Sequence, residues 1–268
     1  MAQIPDSWHD HAAEVVSAIG TDHFPAKVIG AISAVVRYNQ IVIISIPKAQ
    51  SPNFWISEVP AVREKAVVDQ YLNGCYLLDP WYHAYQEGLS SGVYFLEDIA
   101  PDDFYSSAYY WQYFKAIEIE NEAVIAVNLD SAIQIQISMG LLEKVVSDET
   151  KEKLALITPF IIAASKKHWS DLNYFPETFL EKSKIIHSHM TQVLNCFGNG
   201  RLTDREREIA ILIIRGYSLK AMSEMLGIAM GTTKVHCKNL YKKLDISSQS
   251  ELFGIFLDDI TQTKEAKK

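Results

Sequence analysis

Three lysines near the C-terminus are spaced so that their side chains can act together on an anion. Lys234, Lys238 and Lys242 recur every four residues and fall along one side of a helix. A row of ammonium groups on a narrow helix can neutralise the phosphates of a nucleic acid and release the counterions condensed on them. The same spacing is typical of an ordinary solvated helix surface. The surrounding elements decide between these two interpretations.

Other groups lack the spacing that metal or covalent chemistry needs. Two His-x-His pairs, at 9–11 and 187–189, place their rings about 200° apart on a helix, so neither pair can bind one ion. The three cysteines match neither a zinc pattern nor a disulfide framework, and we expect them to be small buried hydrophobes. The chain has no nucleophile elbow, phosphate-binding glycine loop or dinucleotide fingerprint. We therefore predict no metal, no cofactor and no enzymatic activity.

Aromatic residues are concentrated in one stretch of the chain. Positions 71–114 hold 14 of the 29 aromatic residues. Aromatic walls with a few polar groups are what a small-molecule pocket requires, and a carboxylate such as Asp79 could orient a donor or a cation on the ligand. Ordinary core packing or a dimer surface uses the same residue types. The residues that we predict to bind a ligand are Tyr71, Tyr76, Asp79, Trp81, Tyr94 and Trp111.

The charges divide the chain into two parts of opposite sign. The net charge is −8 over 268 residues, but residues 1–200 carry −11 and residues 201–268 carry +3. From Arg201 to Lys243, nine basic residues accompany four acidic ones. A phosphate-binding module joined to an acidic partner domain would show this asymmetry.

Hydrophobic patterns predict an α+β fold for the N-terminal part. The order is two helices, two strands, a helix and a loop-rich region, then two antiparallel strands that turn at Asp130-Ser131. In the last strand, Ile133, Ile135 and Ile137 share one face, and the glutamines between them are expected to face water. We place these elements at 7–19, 24–38, 40–46, 53–59, 61–72 and 122–139.

Two long helices lead to the C-terminal part. The first is predicted at 147–173 and bends or breaks at Pro159, and the second runs from 176 to 197. Gly198-Asn199-Gly200 marks a hinge. No stretch is apolar enough to span a bilayer and no secretory signal is visible, so we expect a cytoplasmic protein.

Four helices are predicted after residue 200. Capping boxes at Thr203 to Glu206 and Ser248 to Glu251 begin the first and the last helix, and Ser218 begins the second. The third runs from about 230 to 244, with its lysines opposite an apolar side. The residues expected to face the core are Met222, Met225 and Leu226 of the second helix and Thr233, Cys237, Leu240 and Leu244 of the third.

This segment resembles the LuxR-type helix-turn-helix. It reads LTDREREI, GYS, SEMLGIAMGTTKVHCKNLYKKL and SSQSEL, where the family pattern has LT.RE.E, G.S, A..L..S..TVK.H...I..KL and S..E. The resemblance implies that Lys234, Val235 and Lys238 meet base edges in the major groove. The residues that it places on phosphates are Thr232, Lys242, and Lys220 or Arg205. In this context the lysine row is interpreted as a DNA-binding face.

Several positions depart from the family pattern. Ala229 stands where a Ser usually caps the third helix, and Gly231 lies in the first turn, so this helix end should be weaker by about 1 kcal/mol. Thr233 replaces the usual Val and Ser223 the usual Ala. Gln249 replaces a common Arg near the last helix. None of these changes removes the lysines.

The N-terminal part is similar to the sensor domains of LuxR-type quorum-sensing regulators, which contain a W...Y....Y...DP run. The segment YLNGCYLLDP supplies counterparts in Tyr71, Asp79 and Pro80, and in that family such residues hold an acyl-homoserine lactone. Val67 stands where the Trp of the run would be, and Phe95 occupies the region of a later pocket Trp. A GAF/PAS-like α/β/α sandwich with an antiparallel sheet that binds another small molecule fits the helix-helix-strand-strand opening and the strand pair at 122–139 better than a phospho-acceptor receiver domain does.

Together these observations predict a homodimeric, ligand-responsive transcription regulator that binds two DNA half-sites about one turn apart. We place a GAF/PAS-like or autoinducer-binding-like sensor domain at 1–175, a helical linker at 176–200 and the helix-turn-helix domain at 201–260. The helices around 149–169 and the last helix are candidates for the dimer contact, and RNA polymerase is a further candidate partner. Two alternatives stay open: a ligand-independent dimeric regulator, and a sigma-factor-like module that contacts polymerase and promoter together.

Overall fold

The computed structural model describes residues 3–59, 64, 68–129, 132–170, 174–175, 177–198 and 200–265. The chain forms two compact units, the first made of residues 1–72, 84–99 and 119–186 and the second of residues 73–83, 100–118 and 187–268. The second unit thus combines the C-terminal helices with two pieces of the aromatic-rich stretch. The predicted turn at Asp130-Ser131, Asn199 of the predicted hinge and half of the predicted helix at 61–72 lie outside the described residues.

The longer elements follow the order predicted from the hydrophobic patterns. In chain order they are α1 (Trp8–Ala18), α2 (Phe24–Ser33), β1 (Gln40–Pro47), β2 (Asn53–Glu58), α3 (Pro80–Gln86), β3 (Gly92–Phe95), β4 (Asn121–Leu129), β5 (Ile133–Leu141), α4 (Asp148–Trp169), α5 (Glu177–Cys196), α6 (Asp204–Arg215), α7 (Leu219–Leu226), α8 (Met230–Leu244) and α9 (Gln249–Glu265). Short helical turns lie at Gln70–Leu72, Cys75–Leu78, Leu96–Ile99, Phe104–Ser106, Tyr110–Phe114 and Lys115–Ile117. The α3 helix and β3 lie in the stretch that the sequence predicts to be rich in loops.

The first unit is built on a five-stranded antiparallel sheet in the order β2-β1-β5-β4-β3. Ile137 of β5 lies between Ile43 of β1 and Ile125 of β4, and all three are fully buried. This face packs with apolar residues of α1, α2 and α4 in one continuous core. The burial of β-branched side chains removes apolar surface from water and stabilises the sheet. The predicted fold class, an α+β domain followed by an all-α helical region, is confirmed.

The opposite face of β5 differs from its prediction. Gln134 and Gln136 are buried rather than exposed to water. The Gln136 side-chain amide donates to Gln134 Oε1 at 2.7 Å, and the Gln134 amide donates to Asn128 Oδ1 at 2.7 Å. The Asn128 amide in turn donates to the carbonyl of Leu89 at 2.8 Å. Because these amides satisfy one another, their burial costs far less than that of unpaired polar groups.

The long helix α4 is continuous through Pro159, so the predicted bend or break is not a break. Ser147 caps its N-terminus by accepting a hydrogen bond from the amide of Thr150. A proline inside a helix removes one backbone hydrogen bond and costs about 3 kcal/mol. The buried side of the helix, which includes Leu154, Ile157 and Ile161, offsets this cost by packing in the core. No helix in the described part of the chain is long and apolar enough to cross a membrane.

The four predicted C-terminal helices are present as α6 to α9. The capping box of Thr203 and Glu206 is complete at the start of α6, and the Ser218 side chain caps α7. At α9 the predicted side-chain cap by Ser248 is present. Ser248 Oγ accepts from the amide of Glu251 at 3.2 Å, and the Glu251 carboxylate accepts from the amide and the hydroxyl of Ser247.

Candidate functional site

The helix α8 separates its predicted lysine side from its predicted core side. Thr233, Leu240 and Leu244 are buried, whereas Lys234, Lys238 and Lys242 are exposed. Val235 also lies at the surface, with 57% of its side chain exposed. One side of this helix is therefore used in packing, and the cationic side is open to a partner.

A hydrogen bond between α7 and α8 links two departures from the family pattern. The hydroxyls of Ser223 and Thr233 lie 2.8 Å apart and both residues are buried. The Ser223 hydroxyl also lies 2.6 Å from the carbonyl of Leu219, to which it donates. Each hydroxyl supplies the partner that the other needs inside the core, so the two replacements compensate for one another.

The N-terminal end of α8 carries no side-chain cap, as the Ala229 position predicts. Gly231 and Thr232 in this turn are exposed, as is Met230. Met225 of α7 is 57% exposed, so the prediction that it faces the core is wrong. Packing of this short helix buries Met222 and Ser223 and leaves Met225 outside. The surface that carries the lysines thus also displays apolar side chains, which can contact thymine methyl groups.

The remaining predicted phosphate contacts are also at the surface. Lys220 lies exposed in the first turn of α7. Arg205 is partly buried, and its guanidinium pairs with the Glu208 carboxylate at 2.8 Å, one turn along α6. DNA contact by these individual side chains stays a prediction.

The six predicted ligand-binding residues are divided between the two units. Tyr71 and Tyr94 belong to the first unit, and the other four belong to the second. In the second unit Asp79 and Trp81 are buried next to each other, with Asp79 Oδ1 accepting from the Trp81 amide at 3.0 Å. Trp111 differs because 61% of its side chain is exposed. Binding of a ligand by this group stays a prediction.

Tyr76 takes part in a polar cluster with α5 that the sequence did not reveal. The hydroxyls of Tyr76 and Tyr82 lie 3.2 and 3.3 Å from Nδ1 of His187, and Nε2 of His187 lies 3.2 Å from the Thr191 hydroxyl. Burial lowers the pKa of His187 and raises the pKa of Tyr76, so both side chains are neutral at pH 7. The cluster fastens segment 73–83 to the helix that precedes α6.

The segment 100–118 packs against the C-terminal helices within the second unit. Phe104 is fully buried, and the ring of Tyr109 lies 6.5 Å from that of Phe253 in α9. Gly216, at the end of α6, has φ 91°, and a Cβ atom there would lie 2.7 Å from the Cα of Phe104. Only glycine allows both this backbone conformation and this approach. Segment 100–118 of the aromatic-rich stretch therefore contributes to the core of the second unit.

The cysteines and the acidic and histidine side chains form no metal centre in the part of the chain that the structure describes. Cys75 is buried as expected, and burial together with Asp79 raises the pKa of its thiol to about 12. Cys237 is partly buried. Cys196 is exposed, so the expectation that all three are buried is wrong for this residue.

Comparison with known proteins identifies the C-terminal region. Residues 200–256 match the family described as bacterial regulatory proteins, luxR family, which confirms the resemblance seen in the sequence. A putative HTH-type transcriptional regulator in the exeN 3′ region of Aeromonas salmonicida is 27% identical over 186 residues, which cover 68% of this chain and 94% of that protein. The transcriptional regulatory protein MctR of Rhizobium johnstonii is 46% identical over 61 residues. That match spans only 23% of this chain and 28% of MctR.

A solved structure resembles a larger part of the chain. The VqsR LBD domain from Pseudomonas aeruginosa aligns with a TM-score of 0.55 at 21% identity, covering 65% of this chain and 99% of that domain. At this identity the likeness is one of fold. It agrees with an α+β domain of the kind built here on the five-stranded sheet.

Proposed function

We propose that this protein is a transcription regulator. The premise is that residues 200–256 form a DNA-binding domain of the luxR family. It binds duplex DNA with the exposed side of α8 in the major groove. The observation that carries this proposal is the division of one helix into a buried apolar side and an exposed cationic side. A helix of this kind can insert into the groove while its other side holds it on the domain.

The side chains of the exposed face divide into two roles. Lys234, Val235 and Lys238 are assigned to base edges, as the resemblance to the LuxR-type helix-turn-helix implies. Thr232, Lys242 and Lys220 bind phosphates, which fixes the register of the protein without reading sequence. The exposure of all six side chains supports this assignment.

The N-terminal domain is proposed to control DNA binding through a small molecule. The likeness in fold to the VqsR LBD domain supports this role, as does the concentration of aromatic residues between 71 and 114. We place the sensor domain at 1–175, the linker at 176–200 and the helix-turn-helix domain at 201–260. Tyr71, Tyr76, Asp79, Trp81, Tyr94 and Trp111 are the candidate ligand contacts, in a signalling role of the quorum-sensing kind.

The assembly proposed for this regulator is a homodimer on two half-sites. A dimer doubles the contacted DNA and explains how a single short recognition helix can select a site. The protein would act in the cytoplasm, where bacterial DNA lies, with RNA polymerase as a further candidate partner.

Selection of bound fragments from random duplex DNA tests the DNA-binding role directly. The full chain is expected to enrich a sequence with two related half-sites about 10 base pairs apart, centre to centre. Binding to the selected duplex should exceed binding to a scrambled duplex by about 10³-fold or more at physiological salt. Equal affinity for both duplexes would overturn the proposal.

Thermal unfolding in the presence of a metabolite library tests the control by a small molecule. A ligand at a hundred times its dissociation constant adds about 2.7 kcal/mol to the free energy of unfolding. The expected result is a raised midpoint for one chemical class of compound. A library without effect would favour the ligand-independent regulator instead.

A further inference from the structure

An acidic segment is hydrogen-bonded at the N-terminus of α7, the first helix of the helix-turn-helix pair. Asp102 Oδ1 accepts from the Ser218 amide at 2.9 Å, and Asp102 Oδ2 accepts from the Ser218 hydroxyl at 2.5 Å. The amide of Asp103 donates to the carbonyl of Gly216 at 2.9 Å. The close approach of Phe104 to Gly216 completes the contact. Three successive residues therefore hold the turn between α6 and α7.

The Ser218 amide and hydroxyl, which donate to Asp102, lie at a helix N-terminus of the kind that binds DNA phosphates. In helix-turn-helix proteins the first helix of the pair, here α7, crosses the DNA backbone, and the amides at helix N-termini bind phosphate oxygens. The exposed Lys220 lies two residues beyond Ser218 and supplies a cation at the same helix end. A carboxylate bound there takes donors that a phosphate needs, and its charge repels the approaching backbone.

The carboxylate of Asp102 is negatively charged at neutral pH. Burial by itself raises the pKa of this group, but the hydrogen bonds from the side chain and backbone of Ser218 outweigh it and hold the pKa below its ordinary value. The contact is therefore fully present at neutral pH.

We propose that the Asp102 carboxylate competes with a DNA phosphate for the N-terminal end of α7. This inference rests on the proposed function. The carboxylate occupies the N-terminal end of α7 in the free protein and leaves when α7 settles on the DNA backbone. The same segment carries Trp111, one of the candidate ligand contacts. A ligand that moves segment 100–118 thus changes DNA affinity by releasing or fixing this one contact.

The test compares Asp102→Ala with Asp103→Ala in the full chain. Both changes remove one negative charge at neighbouring positions, but only the first removes the carboxylate bound to Ser218, since Asp103 makes its contact to Gly216 through the backbone. Asp102→Ala is expected to bind a random duplex about tenfold more tightly than wild type, with a salt dependence steeper by about one unit. Asp103→Ala is expected to stay within about twofold of wild type.

Three other outcomes overturn the proposal, and they are distinguishable. Equal binding by wild type and Asp102→Ala shows that no competition exists, while the DNA-binding function stands. Equal gains in both variants show an effect of net charge alone. Absence of DNA binding in every variant contradicts the proposed function itself, and this inference fails with it.

Hydrogen exchange of the wild-type protein gives a second readout that needs no variant. The Asp103 amide, which is bonded to Gly216 in the free protein, is expected to exchange faster when the protein is saturated with DNA. Amides of α8 should exchange more slowly under the same conditions, which confirms that the DNA is bound. Unchanged exchange at Asp103 together with protection of α8 would overturn the proposal.

Discussion

The predicted DNA contacts and the predicted ligand contacts differ in their exposure to solvent in the folded protein. The predicted DNA contacts on α7 and α8 are all exposed. The aromatic residues predicted to hold a ligand are mostly buried, and Tyr76 and Trp81 belong to the same compact unit as the helix-turn-helix. The side chains of the first group are exposed to solvent in the free protein. The second group already contributes to stability, so any ligand role has to be separated from a packing role.

The largest expected effect separates packing from binding within the aromatic group. Trp81→Ala is expected to cost about 3–5 kcal/mol of unfolding free energy, because Trp81 is almost fully buried. Trp111→Ala is the matched control, since it removes the same side chain from a position that is 61% exposed, and should change stability by less than about 0.5 kcal/mol. Urea denaturation measures both. Similar losses in the two variants would mean that Trp111 is covered in solution.

The next effect concerns DNA recognition by the exposed group. Lys234→Ala and Lys238→Ala are each expected to cost about 1–3 kcal/mol of binding to the selected site and to reduce its preference over other sequences. Lys242→Ala should weaken binding to all duplexes alike and lower the salt dependence by about one unit. Titrations at several salt concentrations distinguish these results. Uniform losses on every duplex for all three lysines would contradict the assignment of roles.

A third prediction tests whether changes on the packed side of α8 leave DNA recognition by its exposed side unaffected. Ser223→Ala and Thr233→Val are each expected to destabilise the protein by about 1 kcal/mol, because each removes the hydrogen bond that joins the two buried hydroxyls. The double variant should lose less than the sum of the two, since neither hydroxyl then remains. DNA site preference should not change. Strict additivity of the three unfolding free energies would show that the hydroxyls do not interact.

The smallest expected effect concerns the weak start of α8. Gly231→Ala should raise the unfolding free energy by about 0.5–1 kcal/mol, because a Cβ at this position meets no neighbour within 4 Å. Gly216→Ala is the control, and its positive φ and the close Phe104 backbone make it destabilising. Thermal unfolding of both variants checks the sign. Destabilisation by Gly231→Ala would mean that the first turn of α8 is not helical in solution.

Local sequence signals determined most of the DNA-binding region. Caps at Thr203 and Ser218 and the four-residue spacing of the lysines depend on groups within one helical turn, so the sequence alone indicates where α6, α7 and α8 lie and which side of α8 is cationic. The alternation of isoleucines in β5 placed its apolar face in the same way. The structure confirms each of these features.

Tertiary structure alone decided what covers each polar surface and which distant residues meet. An alternating strand pattern shows that Gln134 and Gln136 share a face, but only the folded chain buries that face and pairs the amides. The contact of Asp102 with Ser218 spans 116 residues, and that of Tyr76 with His187 spans 111. Such contacts arise because burial of apolar surface is non-directional, so it brings distant segments together without a local signal in either one.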